Sequence, residues 1–390
     1  MISVDEALAH LFDLITPLAP EIVPLRVGSG RVLAQPVAAT RDQPPFAASA
    51  MDGYAVRSAD VAPNASFTVI GEAAAGHRFD GSAGPGQAVR IFTGAPIPEG
   101  ADRAIIQEDV TVSGSVITLG GSVDTGPHVR PAAADFTAGT RMEAPRLLGP
   151  HDIALLAAMN VAELPVTRRP EIAIIATGDE LVMPGEIPGP DQIIASNSFG
   201  LAALVEAHGA HARLLPIARD SAASLEMAFD LAVGSDLIIT IGGASVGDHD
   251  IVGQVAESMG MKRAFYKIAM RPGKPLMAGQ MGNAVMVGLP GNPVSAMVCG
   301  HVFILPMVRA MLGLGAAPAP IFTARLGEEL PGNGPRTHYM RATFTDGIAT
   351  PATSQDSALL GVLARANVLL IRPSHDSPKQ AGDDVTCMRI

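Results

Sequence analysis

Cysteine is nearly absent: Cys299 and Cys387 are the only two in 390 residues, and no CxxC pair occurs. That excludes a disulfide framework and a thiolate-held structural zinc, and leaves two reduced, buried thiols as the expectation. Charge is sparse too, at 17% of residues, with a net balance of -11. A surface of that sign does not neutralise phosphates, so nucleic acid is excluded as a partner. No uninterrupted apolar run approaches the roughly 18 to 20 residues of a bilayer helix, so no membrane span is expected. The amino terminus, MISVDEALAHLFDLI, carries Asp5 and Glu6 where a secretory signal carries lysines, and its apolar spacing is that of an amphipathic helix. The expected location is the cytoplasm. There is no internal repeat and no long low-complexity segment.

What is present is several domains' worth of chain, each long enough to bury a core. Residues 1–39 read as a helix followed by an extended segment, and residues 139–168 return to helix; together they form a linking domain, to which the resemblance drawn below gives the dimerisation role. Between them, residues 40–138 carry short β-branched runs such as ASFTVIG, QAVRIFTGA and SVITLGG, the pattern of a strand-rich inserted domain. From 169 to 314 near-continuous apolar strands (EIAIIAT, SDLIITIGG, NAVMVGLPG) alternate with amphipathic helices, which predicts a parallel sheet wound by βαβ crossovers. Residues 315–390 are strand-like again and form a β-rich C-terminal domain. The fold class is therefore multidomain α/β.

The few positive charges are bunched. KRAFYKIAMRPGK holds five basic residues in 13, where even spacing of the chain's 27 would put about one. Its RPGKP ending is a rigid turn that sets Arg271 and Lys274 three residues apart, suited either to an anion or to a solvated face.

Ligands of an open α/β sheet sit beyond the carboxyl ends of its strands, and four signals fall there. In ATGDEL, Thr177 and Gly178 offer hydroxyl and backbone while Asp179 and Glu180 offer carboxylates; read locally, the same residues make a helix cap. ASNS, with Ser196 and Asn197 before a helix, is likewise first a cap and second a ligand contact. In TIGGASVGDHD, Gly242, Gly243 and Gly247 permit close backbone approach beside Ser245, but the loop is neither GxGxxG nor a Walker motif, so ordinary dinucleotide and triphosphate binding are not indicated. Asp248 and Asp250, two apart, suit a hard cation such as magnesium, while the lone His249 reads as a polar loop residue and not as a zinc ligand. In LPGNPVSA, Pro290, Gly291, Asn292 and Pro293 make a stiff turn ahead of a helix whose first amides attract anions. Far from these, PPFAASAMDGYAV with Asp52, IFTGAPIPEGAD and VRPAAADF are well-specified loops of the strand-rich segment.

The series MDGYAV, TGAPIPEGAD, ATGDEL, GGASVGDHD, PGKP and LPGNPVSA, in this order over essentially the whole chain, resembles the molybdopterin molybdenumtransferase (MoeA) family, and is similar to the E domain of gephyrin. The resemblance implies that the α/β domain is molybdopterin-binding, and that adenylylated molybdopterin and molybdate react, with magnesium, to give the molybdenum cofactor and AMP. It implies a homodimer in which the strand-rich domain of one subunit completes the α/β site of the other. Position by position, Asp52, Thr93, Arg130 and Asp135 match loop residues given by the partner subunit, and Glu180, Asp220 and Asp250 match acidic site positions. Asp250 and Glu180 are implied as metal ligands that polarise the phosphoanhydride, with Asp52 assisting. Lys267 and Lys274 match family lysines, and Arg341 and Ser357 match residues that the last domain brings to the oxyanion. Loss of AMP then needs a positioned water and charge neutralisation, with no protein nucleophile. The sequence departs from the family at three points: Arg271 stands where lysine is common, Arg130 stands alone where arginines are usual, and Gly361 replaces a frequent serine. The adenylyltransferase that acts in the same pathway and the enzymes that receive the cofactor are implied partners. The competing readings are a molybdopterin adenylyltransferase, which shares the α/β domain, and a non-catalytic molybdopterin-binding scaffold.

Overall fold

The computed structural model describes residues 1–243 and 251–390. Helix Val4–Asp13 opens at Ser3, whose hydroxyl accepts from the Glu6 amide while the Glu6 carboxylate accepts from the Ser3 amide. Val4, Ala7, Leu8 and Leu11 recur at the helical period and are buried. This stripe packs into the core of the distant α/β domain.

A four-stranded antiparallel sheet follows, in the order Pro20–Pro24, Glu163–Thr167, Val32–Leu33, Arg146–Leu147. It joins the chain on either side of the strand-rich segment. That segment folds into a six-stranded sheet ordered Arg103–Ile106, Gly53–Val56, Gln87–Ile91, Ser66–Ala73, Val116–Leu119, Val110–Ser113, with a small apolar cluster on each face.

The α/β domain carries the strand order His211–Leu214, Glu171–Ala176, Leu237–Ile241, Ala284–Leu289, Met277–Met281, Lys262–Tyr266. The first four run parallel, as the apolar runs predicted, but the last two are antiparallel to their neighbours. The cause is local: Met281 pairs with Ala284 across the two residues Gly282 and Asn283, with Gly282 at φ 59°, and a loop that short closes a hairpin and cannot hold a crossover helix. Central strands Leu237–Ile241 and Ala284–Leu289 are buried throughout because helices cover both faces. Asn197–Ala207 and the helical run from Pro293 cover one face; Ala222–Leu231 and Ile251–Ser258 cover the other.

The run Pro293–Met311 is a single 19-residue helical element that is apolar and long enough to cross a membrane. It is the core helix of this domain, 83% buried within the protein. Gly300, His301 and Arg309 interrupt its sequence, so no unbroken apolar run announces it.

In the last domain five strands close a barrel. Thr337–Thr345 pairs on one side with Ile348–Pro351 and on the other with Val368–Arg372, and Ile321–Leu326 and Asp384–Arg389 complete the ring. The barrel also captures a short strand of the α/β domain, Met270–Arg271, which pairs in parallel with Thr337 and His338. The RPGKP turn is thereby held by both domains.

Candidate functional site

Beyond the carboxyl ends of the parallel strands lies a cleft of about 610 Å³. Strand Glu171–Ala176 delivers Thr177, Gly178 and Glu180 to it; strand Leu237–Ile241 delivers Gly242 and Gly243; strand Ala284–Leu289 delivers Pro290, Gly291, Asn292 and Pro293. Ser196, Asn197 and Asp220 complete the expected residues along its wall. Ser245, Gly247 and Asp250, with Asp248 and His249, lie outside the described residues.

The local structure differs from the helix caps that these motifs suggest. No helix follows TGDEL; Gly178, at φ 148°, turns the chain into the short strand Leu181–Val182. Thr177 is buried, and its hydroxyl donates to the Ile241 carbonyl at 3.3 Å, so it ties two strand ends together under the cleft. Gly242 and Gly243 have φ of 97° and 64°, and a Cβ on either would press on Thr177. Ser196 occupies the N-cap position of helix Asn197–Ala207 but makes no side-chain capping bond. Asn197 instead donates to the Gly291 carbonyl at 2.7 Å, fixing the LPGNP turn. At the start of the core helix the anion-binding amides are partly spoken for: Pro293 has none, and Val294 donates to the Ser357 carbonyl from the barrel domain.

A second cavity of about 590 Å³ adjoins the first and shares Pro275, Pro290 and Asn292 with it. Arg271, Lys274 and Ser357 line it, as expected, together with Arg336, Ser295, Gln355 and Asp356. Gly273, at φ 109°, is required in the turn, because a Cβ there would lie 2.7 Å from Cys299 Sγ. Beside Arg271 in register sits His338, which burial and the charges of Arg271, Arg341 and Arg372 push down to about 4, so it stays neutral. Arg336 and Gln355 were not singled out from the sequence; a lone arginine in a turn and a glutamine in a polar loop carry no local signal of the cavity they line.

Of the expected residues outside the strand-rich segment, three described ones line neither cavity. Arg341 is wholly buried; its Nη2 donates to the carbonyls of Ser354 and Asp356 at 3.2 and 3.1 Å, and the Gln355 side chain clamps its backbone. It braces the loop that forms the cavity wall. Lys267, at φ 70°, places its ammonium 4.7 Å from the Tyr266 ring centroid. Asp179 accepts the Asp220 amide at 3.3 Å.

The Asp220 carboxyl is pushed up by partial burial and by the charges of Asp179 and Glu180. Crowded oxygen donors of this kind fit a hard divalent cation. Among the described residues no three His, Cys, Asp or Glu side chains gather closely enough to hold one, so a full set needs a further donor.

Asp52, Thr93 and Arg130 are brought together, but away from this cleft. Ser49 exchanges backbone hydrogen bonds with Gly94 and Ala95 and pairs with Val129, which joins their three loops on one edge of the strand-rich domain. Asp52 accepts from the Thr93 amide and hydroxyl at 2.7 and 2.8 Å, and those bonds hold its carboxyl below the usual range. Arg130 and Asp135 are exposed, with the Asp135 amide donating to Gln43.

As a class, this is a multidomain α/β protein whose cleft beyond the parallel strands adjoins a cavity walled by the barrel domain, and whose Asp52 edge lines neither. Residues 2–160 match the MoeA N-terminal region (domain I and II), 173–310 a probable molybdopterin binding domain, and 323–390 the MoeA C-terminal region (domain IV). A Nostoc molybdopterin molybdenumtransferase is 36% identical, covering 100% of this chain and 94% of its own. Molybdopterin molybdenumtransferase 2 of Mycobacterium tuberculosis is 36% identical over 96% of each chain. The crystal structure of a molybdopterin biosynthesis moeA protein from Pyrococcus horikoshii superimposes with a TM-score of 0.85 at 26% identity, covering 100% of both chains. The chain belongs to the molybdopterin molybdenumtransferase family.

Proposed function

We propose that this protein inserts molybdate into adenylylated molybdopterin, releasing AMP and forming the molybdenum cofactor. The observation that carries the reading is the shared wall of Pro275, Pro290 and Asn292, which sets the cationic turn beside the acidic cleft. A phosphorylated pterin needs backbone amides and a stiff turn, and molybdate, a dianion, needs fixed cations. The cleft offers Gly242, Gly243 and the LPGNP turn; the adjoining cavity offers Arg271, Lys274 and Arg336.

Glu180, with Asp250, would hold magnesium, and Asp220 stands beside Glu180 along the cleft. When bound, the ion supplies Lewis-acid polarisation of the phosphoanhydride. The chain's own part is to bind and orient: Arg271 and Lys274 hold the oxyanion, Asn197 keeps the LPGNP turn in place, and Arg341 braces the wall that carries Ser357.

The protein works as a homodimer, since Asp52, Thr93, Arg130 and Asp135 are presented on an outer edge, and a second copy is what brings such an edge to the cleft. We place it in the cytoplasm, receiving substrate from the adenylyltransferase and passing product to cofactor-dependent enzymes. Incubation with adenylylated molybdopterin, molybdate and magnesium tests the function. AMP release that depends on molybdate is expected; consumption of ATP would instead mark an adenylyltransferase, and binding without turnover a scaffold.

A further inference from the structure

Asp52 stands at the end of a short strand, fully exposed, where a carboxylate would ordinarily wander among rotamers. It does not, and the Thr93 bonds are only the visible half of the reason. Behind it lies Arg90, on strand Gln87–Ile91, directly across from Tyr54 in the sheet register. Its guanidinium is stacked between two rings, 5.0 Å from the Tyr54 centroid and 4.7 Å from that of Phe92. Nη1 donates to the carbonyl of Gly53, the residue after Asp52, at 3.0 Å; Nη2 donates to Gln107 Oε1 at 2.7 Å. The Gln107 backbone N–H in turn donates to the Asp52 carbonyl at 3.1 Å. The carbonyls of Asp52 and Gly53 are therefore both held by the linked pair Arg90 and Gln107, while Thr93 holds the Asp52 side chain.

The backbone admits no slack at this point. Gly53 packs so closely on the neighbouring strand that a Cβ would fall 1.8 Å from the Ile105 carbonyl oxygen. A flat, five-donor guanidinium is the group that can bond two acceptors at fixed angles while stacking on rings; an ammonium cannot do all of this. A position needing only surface charge would not be built this way.

We propose that Arg90 is a positioning residue for Asp52: clamped between Tyr54 and Phe92, it locks the turn that aims the Asp52 carboxylate outward at the substrate site it serves. This rests on the reading that Asp52 takes part in AMP release. The site residue is Asp52; Arg90 acts only through it, by pre-orienting the carboxylate before a substrate arrives.

The test is a double-mutant cycle on molybdate-dependent AMP release by the full-length protein, using Arg90→Met, Asp52→Asn and the two together, with thermal melting of each. Arg90→Met should lower kcat/KM by roughly 10- to 100-fold, and Arg90→Lys, which keeps the charge but not the fork, should recover part of the loss. In the Asp52→Asn background, Arg90→Met should change the rate by less than about twofold, because the carboxylate it positions is gone. If the two losses multiply, Arg90 serves stability alone and the proposal is overturned. Near-wild-type activity of Arg90→Met, with Asp52→Asn impaired, overturns it as well. A fully active Asp52→Asn enzyme would instead remove the reading of Asp52 on which the proposal rests.

Discussion

Asp220 is the described carboxylate whose surroundings oppose its ionisation. Partial burial comes first, then the charges of Asp179 and Glu180, and all three raise its carboxyl above the ordinary range. A carboxyl raised on folding binds its proton more tightly in the native state, so between the unfolded value and the raised one the native state carries more protons. Stability then falls as pH rises through that window, and at neutral pH the ionised Asp220 is a net cost to the fold. Asp220→Asn should accordingly raise the melting temperature in EDTA at neutral pH while depressing AMP release, and the stability gain should shrink as pH is lowered below the carboxylate range. Calorimetry of both proteins across pH checks this; equal melting temperatures at pH 7 would show that the carboxylate is not strained. Asp52 is the opposite case. Its two bonds from Thr93 favour the ionised form, so it keeps its charge to lower pH than an ordinary aspartate. One edge offers a ready anion and the other an acid crowded by its neighbours, a separation of environments found where carboxylates have different tasks.

Among elements, the core helix Pro293–Met311 decides whether the cleft exists, because its first turn carries the LPGNP wall and its body is the floor beneath the sheet. It approaches helix Asn197–Ala207 through glycines on both sides. A Cβ on Gly300 would lie 2.8 and 2.9 Å from the Cδ2 atoms of Leu201 and Leu204, and one on Gly200 would lie 2.9 Å from Met297 Sδ. Gly300→Val therefore overpacks a well-filled interface and should destabilise by about 1–3 kcal/mol. Urea denaturation should show a lower midpoint with an unchanged slope, and an unshifted midpoint would mean that the helices separate more freely than this packing allows. The helix itself was legible in the sequence, as were the parallel strands, since a strand covered on both faces must be apolar at every position. The antiparallel edge was hidden in Gly282 and Asn283, a turn signal overlooked because the flanking runs share the composition of the parallel strands. Barrel closure was illegible for a different reason: Thr337–Thr345 meets Val368–Arg372 across an intervening strand and a short helix, and such pairing leaves no periodic mark on either segment.

At the scale of the molecule, the motifs located most of the cleft because glycine and proline at strand ends impose geometry that few other residues allow. They did not separate Arg341 from Arg336. Both are arginines near one strand, but Arg341 lies within it and turns onto the carbonyls of Ser354 and Asp356, whereas Arg336 precedes it and reaches the cavity. The strand-rich edge with Asp52 was legible as a set of specified loops, and the proposal that it serves the cleft of a second copy can be tested directly. Suppose chains bearing Asp52→Asn are mixed, by unfolding and refolding or by coexpression, with chains bearing Glu180→Gln. If each site takes Asp52 from one subunit and Glu180 from the other, every mixed dimer holds one intact site and one doubly altered site. Random pairing makes half of the dimers mixed, so about a quarter of wild-type AMP release should return although each parent is nearly inactive. A site that took both carboxylates from one chain would stay dead in every combination, because neither parent chain carries both. Recovery thus reports the geometry itself, and co-purification of both variants on an affinity tag carried by only one of them separates a failed exchange of subunits from a site that was never shared.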